Sequence, residues 1–461
     1  MTLYQRRALA FSKELAEGTA ISLGSLTAYE VAFEPTINLN TPKKRRRQAQ
    51  GKLSEKQPIR GMNSAEMTFA VEFAGHNTAT TAPIWDDLLE ACGMRLAEGT
   101  VYVIPVNGSG ITGTVTDGLQ LTYDTSQTAD AFGAYVDGAT YVVVENATAA
   151  PTSGATFSNG GVSFTASGAS IRSYFAAKPT SERVYQIPFS SGTGTWAVDD
   201  VITGGTSGAR GLLYEAASGS TGTLKFVPID GTGAFQSGET ITSDGAGSGS
   251  ATASSGQSNL YIPSLSMCLW DNRRAKLMKG ARGTFSLVIP TGEDARFNFT
   301  FTGCRESVSD ELLPSVTKQV TAVPPVFVGG TTYLGNLQNP GMREISVDLG
   351  AAVALRPSPS ESSGYISSRI GARGVGVTFN PEAAAEAEFD VYEKARDAES
   401  FQAGASWGTA TGNRCLVHFP RLSVDQANEE DQDGFTHDAI STVAFSFSSD
   451  EAEHEVVLAL F

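Results

Sequence analysis

Few residues in this 461-residue chain stand where chemistry would need them. Gly108, Gly110 and Gly113 in GSGITG have the spacing of a dinucleotide-binding glycine loop. That pattern works only when a helix opens at the loop and turns its amides toward a pyrophosphate. The residues that follow, TVTDGLQLTY, have the composition of a strand, so the expectation is a turn in a glycine-rich β segment. Glu429, Asp431, Asp433 and Gly434 imitate the start of a calcium loop, but the closing position, which needs a bidentate carboxylate, is Ile440. His76, His418, His437 and His454 are scattered, and no serine or cysteine stands in a recognisable nucleophile motif. Cys92, Cys268, Cys304 and Cys415 lie far apart, without the paired spacing of a zinc site or a redox dithiol, and read as reduced, buried thiols. The expectation is a protein that is not an enzyme and carries no cofactor and no metal.

Charge is distributed with more purpose. The formal net charge is −16, which disfavours a tightly held nucleic acid, because phosphate binding needs a basic surface. Within this acidic chain Lys43, Lys44, Arg45, Arg46 and Arg47 form a single basic block, in a polar loop spanning 40–57. Like charges in a run repel and stay extended. The block therefore reads either as a solvated loop or as an arm that orders on an acidic surface of a neighbouring copy, with a nucleic-acid patch or targeting signal as a third reading. From Glu382 to Phe461 there are 17 acidic and 4 basic residues, a net of −13. That is either a solvated surface or an anionic wall along which a polyanion slides without sticking.

The elements that carry these residues are mostly strands. Gly, Ser and Thr are abundant, charged residues make up 18%, and helical patterns are scarce, which argues for a mainly β chain of roughly three domains at about 150 residues each. The clearest stretch is GARGTFSLVIPTGEDARFNFTFTG (280–303). In it Phe285, Leu287 and Ile289, and then Phe297, Phe299 and Phe301, alternate with mostly polar residues on either side of a Pro-Thr-Gly turn, the signature of a hairpin with one face to bury. The first residues read as a short amphipathic helix with Leu3, Leu9, Phe11 and Leu15 for packing and Gly18 as its stop. One or two strands are expected over 19–39. No stretch approaches the ~20 apolar residues of a membrane span, and the start lacks the apolar core of a secretory signal, so synthesis and folding in a cytoplasm are expected.

Two helices stand out. PIWDDLLEACG has Pro83 in the first turn, Asp86 and Asp87 at the positive end and Gly93 as its stop. The second is predicted from Asn380 as N-cap and Pro381 at the first position to about Ser400, with Phe389 and Tyr392 on one stripe. A linker is expected over 314–325, and a last hairpin is expected to pair Val443, Phe445 and Phe447 with the tail EVVLALF.

The order of elements repeats. Strand, helix, strand and hairpin occur at 66–73, 83–93, 260–270 and 284–302, and again at 375–379, 381–400, 414–424 and 441–461. The predicted domains are therefore 1–95 with 260–325, split by an inserted β-rich region at 96–259, and 326–461. Within the insert, WAVDDVITGGTSGARG and FQSGETITSDGAGSGSATA place Trp196 and Phe235, like Val201 and Thr240, 39 residues apart, giving a two-copy sub-repeat over 191–256.

PIRGMNSAEMTFAVEFAG, APIWDDLLEACGM and SLSMCLWDNRRAKLMKGARGTFSLVIPTGEDARFNFTFTG (within 58–94 and at 264–303) give the chain its resemblance to the major tail tube proteins of long-tailed bacteriophages. The resemblance implies β-sandwich or barrel domains flanked by a helix, assembled into rings whose inner strands join in a continuous barrel. The rings stack into a hollow virion tube that conducts DNA during ejection. It makes the block Lys43, Lys44, Arg45, Arg46, Arg47 the candidate inter-ring arm, and Arg296, Asn298, Thr300 and Thr302 a candidate lumen- or neighbour-facing strand. Two tube domains per chain imply trimeric rings with pseudo-sixfold symmetry, a hexamer being second choice, with the insert projecting outward. Tail tip and tail terminator proteins are the implied partners, DNA passes only transiently, and no membrane is involved. The alternatives are a capsid decoration or head-tail joining protein, and a surface or secreted carbohydrate-binding β protein.

Overall fold

The computed structural model describes residues 7–29, 33–46, 56–75, 82–97, 102–116, 119–131, 135, 141–145, 147–168, 172–176, 185–213, 216–229, 233–245, 247–259, 262–271, 273–315, 323–410, 412–432, 434–445 and 455–460. The fold is mainly β, with two short helices among the described residues.

The N-terminal segment is a strand, β1 (Arg7–Lys13), where a helix was expected. It pairs along its length with the strand Leu265–Asp271, Leu9 opposite Leu269 and Phe11 opposite Met267. Leu9 and Phe11 enter one core while Ala8 and Ala10 enter another. A strand covered on both faces buries successive residues, and the apolar run Ala8 to Phe11 suits that better than a one-faced helix. Leu15, expected to pack, is 62% exposed, and Leu3 lies outside the described residues.

Eight strands form the backbone of the molecule. In chain order they are β2 (Phe33–Asn40), then β5 (Ser64–Glu72) after the ribbon β3 (Lys43–Arg46) and β4 (Lys56–Arg60), and, after β6 (Leu265–Asp271), β7 (Arg274–Pro290) and β8 (Arg296–Asp310). The second half supplies β9 (Met342–Asp348), then β12 (Gly376–Pro381) after the ribbon β10 (Ala352–Pro357) and β11 (Tyr365–Ala372), and, after β13 (Phe401–Trp407), β14 (Cys415–Gln432) and β15 (Phe435–Ala444); β16 (Val457–Leu460) follows outside the eight. Antiparallel pairing sets the spatial order β2-β5-β8-β7-β9-β12-β15-β14. Each half contributes four strands in the same arrangement, and each places a two-stranded ribbon between its first and second strands. The helices α1 (Asp86–Ala91) and α2 (Val391–Asp397) occupy matching places after β5 and β12.

The repeat thus aligns β7-β8 with β14-β15, which corrects the expected final hairpin. Val443 lies in β15, which pairs with β14 and β12, whereas Val457–Leu460 pairs with the start of β14 and with residues 172–176. The tail run is buried on both faces, Leu458 and Leu460 in one core and Val457 and Ala459 in another, so a two-sided hairpin arm could not have satisfied it. Phe447 is outside the described residues.

Helix α2 is shorter than predicted. Asn380 and Pro381 end β12, because Phe379 is held between Ile345 and Ile440, and Asn380 Oδ1 accepts from the amides of Arg343 and Glu344. The helix starts instead from Asp390, whose Oδ1 accepts from Glu393 N at 2.8 Å.

The main core lies on one face of the long sheet. Phe73, Trp85, Phe297 and Trp407 pack edge-on or tilted with ring centroids 4.9 to 5.6 Å apart, and Phe285, Phe299 and Phe301 continue the cluster. Inserted in the first half between α1 and β6, residues 102–166 form a closed six-stranded barrel. GSGITG runs along its strand Tyr102–Thr112 into a turn at Gly113, with no helix at the loop. The barrel core also includes Tyr333, Leu416, Val457 and Ala459. A second sheet spans 185–259 with a separate core. In it the sub-repeats pair antiparallel, Ile202 opposite Ser243 and Gly204 opposite Ile241. Asp200 and Glu239, again 39 apart, reach across to the other copy: Asp200 accepts from Ser243 Oγ at 2.8 Å and Glu239 from Ser207 N at 2.9 Å.

Among the described residues, no helix is long and apolar enough to cross a membrane.

Candidate assembly surfaces

A sheet exposes chemistry in three places: its free edges, its uncovered face and its ends. The long sheet is open at both edges. Among the described residues no strand pairs with the far side of β2, nor, beyond Leu422, with the side of β14 that faces away from β15. These edges have counterparts inside the chain. β7, the fourth strand of the first half, pairs with β9, the first strand of the second, from Ser286 opposite Asp348 to Pro290 opposite Glu344. By the repeat, β14 corresponds to β7 and β2 to β9. The two open edges are therefore the same kind of surface as the two edges already joined within one molecule.

The face opposite the core is polar. Alternation in β8 buries Phe297, Phe299 and Phe301 and leaves Arg296 and Asn298 exposed and Thr300 and Thr302 half-buried on the other side. Thr36, Thr68, Thr300 and Thr284 stand in register across four strands, with Thr36 Oγ1 and Thr68 Oγ1 2.7 Å apart. A neighbouring row runs Ala70, Asn298, Ser286, Asp348 and Gly376. Arg296 is exposed but already engaged. It donates to Asp294 at 2.6 Å and lies 4.8 Å over the Phe33 ring. That hydrogen bond holds the Asp294 carboxyl below its usual range, whereas burial and the Asp294 charge raise Glu72 beside it. The four predicted residues of β8 thus share one face, and that face is uncharged or weakly anionic.

The two ends of the sheet differ. β2 and β9 run parallel to each other and antiparallel to β7 and β14, so both ribbons leave at one end and the β7-β8 and β14-β15 turns lie at the other. The basic block, expected to lie in a loop, lies on a ribbon: Lys43 pairs with Arg60, Lys44 with Ile59 and Arg46 with Lys56. Lys43, Lys44 and Arg45 are exposed and Arg46 is half-buried, while Arg47 is outside the described residues. At the turn end, Glu429 and Asp431 pair across from Asp438 and Thr436 as ordinary hairpin residues. Among the described residues no cluster has the makings of a metal site.

Sequence reading missed one polar cluster. The buried Glu14 carboxylate accepts from Gly18 N, Ser264 Oγ, Ser266 Oγ and Gly280 N at 2.7 to 2.8 Å. Glu17, also buried, meets Arg282 at 3.2 Å, Arg356 at 3.7 Å and Ser367. Ser368 accepts from Arg282 N and donates to Gly280 O. Gly280 has φ +60°, and a Cβ there would lie 2.7 Å from Ser367 Cα, so glycine is what lets β11 lie against β7. This cluster rivets the second half's ribbon onto the first half. Its partners are spread over more than 350 residues of chain, and no local signal could have gathered them. His418 is equally structural: its Nδ1 meets the Tyr333 hydroxyl at the seam between sheet and barrel, and burial lowers its pKa to about 3. All four cysteines are free and buried, and His76 and His454 are outside the described residues.

No protein-family model matches the chain, and a search of curated proteins finds no relative.

Proposed function

We propose that the chain is a structural virion protein that closes into rings and stacks into the hollow tail tube of a long-tailed bacteriophage. The observation that carries this reading is the equivalence of the open edges β2 and β14 to the joined edges β9 and β7. Unpaired sheet edges are a liability in a free monomer, and joining them between subunits removes it. A contact between two different edges is heterologous and closes into a ring when its rotation divides a full turn. Because one chain already holds two such units, three chains make a six-unit ring, each contributing eight strands to a common barrel, with a hexamer of chains as second choice.

The uncovered face suits a lumen. Hydroxyls, amides and a few carboxylates line much of it, and Arg296 is paired with Asp294, which weakens its hold on a passing polyanion. The barrel and the 185–259 sheet then lie outside the ring, and tail tip and terminator proteins cap its ends.

Electron microscopy of the purified protein tests this. Rings of three chains, stacking into tubes at high concentration or on a tail-tip nucleus, are expected. Persistent single particles would reject the reading; binding to preformed capsids without tube formation would favour a decoration or joining protein, and binding on a glycan array would favour the carbohydrate reading.

A further inference from the structure

Near the β14-β15 turn, two carboxylates occupy places that the alternation of the sheet assigns to its core face. Along β15 every second residue, from Asp438 through Ile440 and Thr442 to Ala444, is buried, and Ile440 and Ala444 belong to the main core. On β14, Ala427 stands opposite Ile440 and Glu429 opposite Asp438. Residues paired directly across an antiparallel ladder share a face, and like charges so placed repel. The matching hairpin of the first half fills this face with an apolar pair, Leu287 opposite Phe297. Asp438 is 7% exposed, and among the described residues it has no hydrogen-bond donor and no ion-pair partner. His437, next in the chain, bonds Asn380 O through Nδ1 at 3.1 Å. Burial first, and the Glu429 charge after it, push the Asp438 pKa up, which is what a buried carboxylate shows when its counter-charge is missing.

A cavity of about 480 Å³ lies over this pair. The segment after β12 stays beside β15, Ala383 N donating to Thr436 O at 2.9 Å, and then crosses into α2. Glu386, Phe389 and Tyr392 complete the wall together with three residues that are already engaged. Asp390 caps α2, and Arg396 is bound to Glu393 and Asp397 at 2.8 and 2.9 Å. Lys394, also on this helix, is held by Glu399 at 3.0 Å. The charge left unmatched is therefore that of Asp438, with Glu429 and Glu386 exposed beside it and likewise without a partner among the described residues. These carboxylates do not converge, for among the described residues no three come close enough to hold a metal ion. A point cation would satisfy one of them and leave the others. An extended cation with ammonium groups set apart by methylenes would reach more than one. Each primary ammonium offers three N–H donors, and the methylene chain packs against Phe389 and Tyr392, whose ring faces also attract cations. The volume is that of a small-molecule pocket.

We propose that this cavity binds a linear aliphatic polyamine, with one ammonium at Asp438 and Glu429, the methylene chain along Phe389 and Tyr392, and a second ammonium at Glu386. The whole site lies within one chain, and the inference is independent of the assembly proposed above.

Titration calorimetry of the full-length chain with spermidine, at fixed ionic strength, tests this. Saturable binding of one spermidine per chain is expected, with a higher thermal midpoint at saturation. Butylamine, which has a single ammonium, and tetramethylammonium, which has no N–H to donate, should each bind about tenfold more weakly or worse, the size expected for loss of one charge-assisted hydrogen bond. Asp438→Asn and Glu429→Gln should each weaken spermidine by a similar factor and leave the far-UV circular dichroism of the free chain unchanged, since neither carboxylate holds another group in place. Glu429 is exposed, so its variant reads the site even where Asp438→Asn disturbs the fold. Glu386→Gln should weaken spermidine and leave butylamine unaffected, because only the longer ligand reaches it. Heat that does not saturate, or spermidine affinity unchanged in Asp438→Asn and Glu429→Gln, would overturn the proposal. So would magnesium binding as tightly as spermidine and lost in Asp438→Asn, because the cavity would then be a metal site.

Discussion

Phe299 shows how the long sheet is held. Its ring centroid lies 5.6 Å from those of Phe69 and Phe297, 5.8 Å from that of Phe301 and 5.9 Å from that of Phe285, and the residue is 1% exposed. Truncation would leave a cavity walled by rings fixed on three strands, so Phe299→Ala should cost about 3–5 kcal/mol, read as a lower urea midpoint. Phe299→Leu should cost less. His418 makes a pH prediction. Its folded pKa is about 3 against an ordinary 6.5, so the unfolded chain takes up a proton that the folded chain refuses. Stability is then lost as pH falls through 6.5, with a limiting slope of about 1.4 kcal/mol per pH unit for one proton. Urea unfolding between pH 7 and 5 should show this slope, and it should shrink by about one proton in His418→Gln. An unchanged slope would place the proton uptake elsewhere.

At the scale of elements, the ribbons explain most of what is unusual here. The two occupy the same place in the repeat, yet one is pinned by Glu17, Arg282, Ser367 and Ser368 and the other exposes Lys43, Lys44 and Arg45. Helix α2 is seven residues long and has a single side-chain cap, Asp390. Asp390→Ala should cost about 1 kcal/mol and should raise amide exchange over Val391–Asp397 before anywhere else. Tyr392, in its first turn, is 48% exposed, so Tyr392→Ala should leave stability nearly unchanged. The sub-repeat in 185–259 is stabilised differently, by Asp200 and Glu239 each bonding the other copy's turn. The Glu239 carboxyl, held low by the backbone amides of Ser207, Gln236 and Thr206 against the opposing effect of burial, should lose its contribution as pH falls below the carboxylate range.

At the scale of the molecule, the inserted modules are not alike. The 185–259 sheet enters and leaves at neighbouring residues, Tyr185 opposite Asn259, and has its own core. Replacing 185–257 by a short Gly-Ser linker should therefore preserve assembly and give a narrower particle in electron micrographs. Removing the 102–166 barrel would uncover Tyr333, Leu416, Val457 and Ala459, and the product should aggregate. Much of this was legible in the residues themselves. Two-residue alternation along 284–302 specified both arms of the central hairpin and which phenylalanines it buries, because strand geometry repeats over two residues and needs no distant partner. The tandem order of elements and the sub-repeat were likewise carried by spacing. Partners distant in the chain were not. Ala8 to Phe11 became a strand because Leu265–Asp271 was there to pair with it, Asn380 and Pro381 ended a strand because β9 and β15 flank them, and Val457–Leu460 sits between two cores. For the same reason Glu14 and Glu17 gave no signal, since their partners come from segments up to 350 residues away. The sequence determined the alternating strands, the duplication and the separation of basic from acidic charge. Tertiary structure alone decided which edges are joined and which stay open, because pairing depends on what lies alongside a strand in space.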